Sequence, residues 1–203
     1  MDIVLPTRFD NPNLPIVQRP GFLDAFDRPA ADTLGTTDDG KAWVTHDYGT
    51  TSSTWGTYGD GTGGMKSSSS GRHLAVVDAL TADGTLTATF RTSDETARRP
   101  GLTLRARDAD NYIQVAPIGA TDHRMRILKM IDGTASNLSD LGPFLLDGTE
   151  VAATCVGTTI TVAVDGVDAL SWDVPELSTV TTHGMYAFRG AVGAWEGIEF
   201  TPA

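Results

Sequence analysis

The 203-residue chain is long enough to bury a full hydrophobic core as one domain. Its 26 acidic and 15 basic residues give a formal net charge of -11, which repels phosphate backbones and anionic lipid, so nucleic-acid binding is not expected. The single cysteine, Cys155, excludes a disulfide framework and a cysteine-based metal site.

The first twenty residues contain four prolines and no apolar period, which favours an extended arm lying on its own domain or on a neighbouring subunit. The opening MDIVLPTRFDNP lacks a basic n-region and its apolar run ends at Pro6, so we expect neither a signal peptide nor a membrane span. That suits an intracellular protein, and equally a virion part assembled in the host cytoplasm and freed by lysis. We divide the chain into an arm over 1–20 and one domain over 21–203.

From residue 21 onward, short runs of alternating polarity are separated by glycine and aspartate, which is typical of an all-β sandwich. In the clearest run, 158–164, the apolar residues fall on one face, and Asp165-Gly166 then predicts a hairpin into 167–172. The Gly/Ser-rich stretch 57–71 is predicted to be a mobile surface loop. The other predicted strands are 85–91, 102–107, 111–115, 124–130 and 150–155. About a dozen strands at this spacing predict two packed antiparallel sheets.

Motifs with a built-in mechanism are missing from the sequence: there is no phosphate-cradling glycine loop, no H-E-x-x-H, no G-x-S-x-G and no C-x-x-C. The four histidines, His46, His73, His123 and His183, each stand alone among turn or strand residues, which favours structural or surface roles. We therefore expect no catalytic residue, no cofactor and no metal site, and hence no enzyme.

Glycosidases need two carboxylates that flank the scissile bond, and two pairs come into question: Asp24 with Asp27, and Glu196 with Glu199. Odd spacing along a strand puts the members of each pair on opposite faces, which makes them poor catalytic dyads. Solvated edge carboxylates, or at best oxygen ligands of a structural cation, are the expected roles.

The stretch 34–43, LGTTDDGKAW, fits the spacing S/T-x-D-x-G-x-x-W that sialidases repeat around their propellers. A propeller needs one copy for each blade, and this chain has one good copy. We therefore interpret the stretch as a turn between two strands. Asp39-Gly40 supplies the turn, Thr36 and Asp38 bond to local backbone, and Trp43 begins the next strand facing the core.

Several motifs in order carry a resemblance to a known family. They are F-x-D-x-F-x-R from Phe22 to Arg28, the stretch 34–43, Trp55 before a glycine-rich loop, 104–107 followed by Asp108, Asn111 and Tyr112, and the last third from VAATCV onward. Over about 21–203 they resemble the concanavalin-like or laminin-G-like jelly-roll domains of minor tail proteins from phages that infect actinobacteria. These motifs consist of turn and core residues, so they bear on the fold directly and on function by association.

The resemblance implies a two-sheet jelly roll in a virion structural protein, either a minor tail protein or a decoration of the particle, that grips host-surface glycan. Sugars are held by aromatic faces and by polar groups that take the hydroxyls. The predicted ligand-binding residues are therefore Tyr48, Trp55 and Tyr58 for stacking, with Asp60 as a polar neighbour. The alternative is that Trp55 belongs to the core and the tyrosines cap sheet edges.

Three functions remain open at this point. The first is a non-enzymatic glycan-binding module of the virion. The second is an assembly or decoration protein that binds no ligand and joins other virion proteins through its arm, and the third is a glycan hydrolase. Self-association is expected, because virion parts are built as symmetric rings or lattices.

Overall fold

The computed structural model describes residues 18–68, 71–91, 101–117, 124–139, 142–143, 145–188 and 194–203, so residues 1–17 of the predicted arm lie outside it. These residues form strands and no helix, and hence no helix that could cross a membrane. The strands are β1 (Phe22–Asp24), β2 (Val44–Asp47), β3 (Ser53–Thr57), β4 (Thr62–Ser68), β5 (Arg72–Asp78), β6 (Gly84–Arg91), β7 (Gly101–Asp108), β8 (Asn111–Pro117), β9 (Met125–Ile131), β10 (Thr134–Asn137), β11 (Glu150–Val156), β12 (Thr159–Val164), β13 (Val167–Asp173), β14 (Thr182–Phe188) and β15 (Ala194–Pro202).

The described strands form two antiparallel sheets. The eight-stranded sheet has the order β13-β12-β11-β6-β15-β4-β3, and β1 pairs with β15 beyond the end of β4. The seven-stranded sheet has the order β10-β9-β8-β7-β14-β5-β2. One hydrophobic core lies between them, to which β6 contributes Leu86, Ala88 and Phe90 while its alternate threonines face outward. The prediction of an all-β two-sheet sandwich is confirmed.

Two hairpins follow directly from local sequence. Asp165 and Gly166 join β12 to β13 with φ angles of 49° and 75°, and Asp132 and Gly133 join β9 to β10 with 48° and 73°. Positive φ at both central residues is the geometry of the tight hairpin turn that fits the right-handed twist of paired strands. The hairpin predicted at 165–166 is therefore confirmed.

The Gly/Ser-rich stretch 57–71 was wrongly predicted to be a surface loop. Residues 62–68 of it form β4, which lies between β3 and β15 and buries Met65. Gly63 is required there because a Cβ at this position would lie 2.5 Å from Cδ1 of Phe26. The ring of Phe26 thus packs directly on the strand backbone, and glycine marks close approach rather than mobility.

Candidate ligand-binding cleft

Asp24, on β1, organises the segment that leads to the cleft. Its buried carboxylate accepts hydrogen bonds from both terminal nitrogens of Arg28 at 2.6 and 2.8 Å, from the Phe26 N–H at 2.9 Å and from Nε1–H of Trp43 at 2.7 Å. The bond to Asp24 raises the pKa of the Arg28 guanidinium. The prediction of a solvated edge carboxylate was wrong for Asp24, because these donors hold its charge inside the fold.

The stretch 34–43 is a turn, as predicted. The segment 36–42 closes on itself in an isolated antiparallel bridge, and Gly40 has a φ of +87°. The hydroxyl that bonds local backbone belongs to Thr37 and not to Thr36, since Thr37 Oγ1 accepts the N–H of residue 41 at 2.9 Å. The Asp38 carboxylate instead accepts the N–H of Ala25 at 2.8 Å, which ties the turn to the end of β1.

A cleft of about 280 Å³ opens beside this turn, between β2 and β3. These two strands lie at the same edge of the sandwich, one in each sheet. Thr45 and Thr54 line the cleft, and their hydroxyls make no hydrogen bond to another described residue. We call this the edge cleft; it is lined by Asp32, Thr33, Leu34, Gly35, Trp43, Thr45, Ser53, Thr54 and Trp55.

A polar network joins the two sheets at the wall of the edge cleft. Nδ1 of His73 lies 2.7 Å from Oδ1 of Asp47, which also accepts the Ser53 hydroxyl at 2.6 Å, and Ser53 Oγ accepts Nε1–H of Trp55 at 2.9 Å. A catalytic triad needs the histidine between nucleophile and carboxylate. Here the carboxylate is central and His73 is buried, so the arrangement is not that of a triad, and it positions Ser53 and Trp55.

The four predicted ligand residues do not form one site. Trp55 lines the edge cleft, yet it is only 4% exposed and packs in the core, so it offers no free face for stacking. Tyr48 is 41% exposed and lies under the guanidinium of Arg72, with 4.0 Å from Cζ to the ring centroid. Asp60 bonds the N–H and hydroxyl of Thr62 within its own turn.

Tyr58 is linked to the edge cleft through Lys66. Nζ of Lys66 lies 5.6 Å from the centroid of the Tyr58 ring and 2.9 Å from Oδ1 of Asp32, and it also donates to the carbonyl of Ala31 at 3.2 Å. Among the described residues that line the cleft, Asp32 is the only carboxylate. The salt bridge to Lys66 thus offsets the negative charge that Asp32 brings to the cleft.

Glu196 and Glu199 lie on the same face of β15, contrary to the prediction from their spacing. The pairing of β15 with β6 shifts register between Glu196 and Ile198, and Gly197 is a bulge residue with a φ of +62°. A bulge inserts one extra residue, so an odd spacing returns to the same face. Both glutamates are exposed on the outside of the eight-stranded sheet, where Glu196 binds Arg91 at 2.5 Å.

Buried titratable groups lie between the sheets at the end of β14. His183 is fully buried and stacks on Phe200 at 4.1 Å, and burial lowers its pKa to about 3. Burial likewise raises the pKa of the Cys155 thiol to about 12. Among the residues that the structure describes, no group of three or more histidine, cysteine, aspartate or glutamate side chains could hold a metal ion.

No family model and no curated protein matches the sequence. Solved structures do match. Bacillus licheniformis β-glucanase is 11% identical with a TM-score of 0.63, and the match covers 91% of this chain and 99% of that one. Carbohydrate binding module CBM66 from Bacillus subtilis is 14% identical with a TM-score of 0.56, and the match covers 78% of this chain and 95% of that one. A lichenase derived from a mouse hindgut metagenome is 11% identical with a TM-score of 0.58, and the match covers 91% of this chain and 100% of that one. The chain has their jelly-roll sandwich fold. At these identities the likeness establishes the fold and not the activity.

Proposed function

We propose that the protein is a non-catalytic glycan-binding module whose edge cleft takes one sugar unit. The observation that carries the proposal is the cleft itself, which is lined by the polar side chains of Thr45, Thr54 and Asp32 and by two tryptophans. Its volume of about 280 Å³ lies at the small end of ligand sites, which suits a monosaccharide unit rather than a long chain. Two structural neighbours, a carbohydrate binding module and a β-glucanase, support this ligand class.

The described carboxylates argue for binding rather than hydrolysis. Hydrolysis of a glycosidic bond needs an acid and a second carboxylate across the sugar ring. Asp32 is the one carboxylate among the described lining residues and is paired with Lys66, while Asp47, in the wall, is held by His73 and Ser53. The Asp24 carboxylate already accepts hydrogen bonds from Arg28 and Trp43. The two glutamates of β15 are exposed on the outside of the eight-stranded sheet.

We further propose, on the sequence resemblance alone, that this module is carried on a phage particle as a minor tail protein that contacts host-surface glycan. Attachment to other virion proteins through the arm, self-association in the particle and assembly in the host cytoplasm belong to the same proposal. Mass spectrometry of purified particles tests it: the chain should co-purify with virion proteins in fixed ratio, and its absence from particles would overturn this placement.

A glycan array tests the binding proposal when the full chain is compared with two matched variants. Thr45 is exposed on β2 in the cleft, and Thr159 is exposed on β12 away from it. Thr45→Arg fills the cleft and should weaken glycan binding at least about tenfold, or about 1.4 kcal/mol. Thr159→Arg adds the same charge elsewhere and should bind as the original chain does. Equal glycan binding by both variants would exclude the edge cleft as the binding site, and no glycan binding by any of the three chains would refute the proposed function.

A further inference from the structure

The seven-stranded sheet has a second buried face, on the side away from the eight-stranded sheet. Alternate residues of β5, β8 and β14 form an apolar cluster here that is separate from the main core. Its two tyrosine rings, Tyr112 and Tyr186, lie 6.0 Å apart. We call this the outer face; its cluster consists of Leu74, Val76, Ala106, Tyr112, Ala116, Met130 and Tyr186, each between 0 and 5% exposed, with Leu128 and Phe188 packed against it.

No described strand packs on the outer face, since all of them belong to the two sheets that enclose the main core. The hydroxyl of Tyr112 and Nε of Arg72 are nevertheless buried there without a hydrogen-bond partner among the described residues. Burial also raises the pKa of the Tyr112 hydroxyl. A face open to water would expose these groups, so a cover of partly apolar character is required.

The described chain starts at the edge of this face. Gln18 lines a cavity of about 320 Å³ together with Val44, His46, Val76, Asp78 and Thr182, which lie on β2, β5 and β14. The ammonium of Lys41 donates to the carbonyls of Arg19, at 2.6 Å, and of Gly21. These bonds fix the chain as it leaves the outer face and enters β1.

The first seventeen residues have the composition and length to cover the outer face. Eight of them are apolar, and three prolines cannot donate to a sheet ladder. Seventeen residues reach at most about 56–61 Å. Seven strands at about 4.8 Å spacing measure about 29 Å between the outermost strands. We propose that the outer face is the docking site of residues 1–17 of the same chain.

The sequence left open whether the arm lies on its own domain or on a neighbouring subunit. The proposed docking selects the arm's own domain. Glycan binding in the edge cleft neither requires nor excludes it, because the cleft uses the opposite side of β2. A second copy of the chain and a bound ligand are the other occupants of the face, and the experiment separates them.

Oxidative footprinting of the full chain, read out by mass spectrometry, tests the proposal. Met130 belongs to the outer face, whereas Met65, Met125 and Met185 are buried in the main core and serve as internal controls for an intact fold. The test variant carries Leu14→Asp and Ile16→Asp. The control carries Asn11→Asp and Asn13→Asp, which add the same charge to the same segment.

The test variant should oxidise Met130 at least about tenfold faster than the original chain, because the cover is released, while the three core methionines are unchanged. The control should match the original chain. Rapid oxidation of Met130 in the original chain, or equal protection in all three chains, would overturn the proposal. Protection must also be present in the monomer isolated by size-exclusion chromatography with light scattering. Protection confined to an oligomer would assign the face to a second copy instead.

Discussion

Replacing Asp24 by asparagine should destabilise the fold more than any other single charge removal in the opening segment. The carboxylate accepts four hydrogen bonds, two from Arg28, one from the Phe26 backbone and one from Trp43. An amide keeps one acceptor oxygen and turns an NH₂ group toward donors. Removing one partner of a buried ion pair costs about 3–5 kcal/mol, and we expect the lower end, about 3, because the partly exposed Arg28 can regain water.

For a domain of this length, 1 kcal/mol corresponds to about 2–4 °C in Tm, so a loss of about 3 kcal/mol lowers Tm by about 6–12 °C. Thermal unfolding followed by circular dichroism measures it, with urea unfolding as the equilibrium check. Asp27→Asn is the matched control: this exposed carboxylate lies three residues away, and its loss should change stability by less than about 0.5 kcal/mol. Equal melting of the two variants would refute the role of Asp24 as the buried acceptor.

Three further predictions concern stability. Gly63→Ala should cost about 1–3 kcal/mol in urea unfolding, since the new Cβ meets the ring of Phe26, and an unchanged midpoint would contradict that packing. Gly40→Val should destabilise by about 1–2 kcal/mol through its positive φ alone, whereas Gly40→Asn should be nearly neutral; similar losses for both would refute the turn geometry. Folded His183 stays neutral to about pH 3, while the unfolded side chain protonates near pH 6.5. The unfolding free energy should therefore decrease as the pH is lowered from about 6.5 to about 3, by up to about 1.4 kcal/mol per pH unit. His183→Gln should show a shallower slope, and parallel slopes would count against a buried neutral histidine.

Local chain chemistry predicted the hairpin at 165–166 and the strands with alternating polarity. Asp165-Gly166 needed no tertiary information, because its two positive φ angles suffice to turn the strand. Strand β5 was not predicted, since Leu74 to Val77 are buried on both faces and leave no period of two. The glycine-rich β4 was taken for a loop because the need for Gly63 comes from a ring 37 positions earlier in the chain.

The candidate site was predictable only in fragments. Trp55 does line the cleft, but its burial depends on the opposing sheet. The link from His73 through Asp47 to Ser53 joins residues up to 26 positions apart, so no sequence spacing reveals it. One bulge at Gly197 places Glu196 and Glu199 on the same face of β15, whereas a regular strand pattern predicts opposite faces.

The most direct test of glycan binding in the edge cleft is a titration of the full chain followed through its four tryptophan indole N–H signals by NMR. Trp43 and Trp55 line the cleft, whereas Trp195 is in the core and Trp172 is exposed on β13. With the glycan selected on the array, the Trp43 and Trp55 signals should shift and saturate together while the other two stay in place and the glycan remains intact. Shifts confined to Trp172 or Trp195, or cleavage of the glycan during the titration, would contradict a non-catalytic site in the edge cleft.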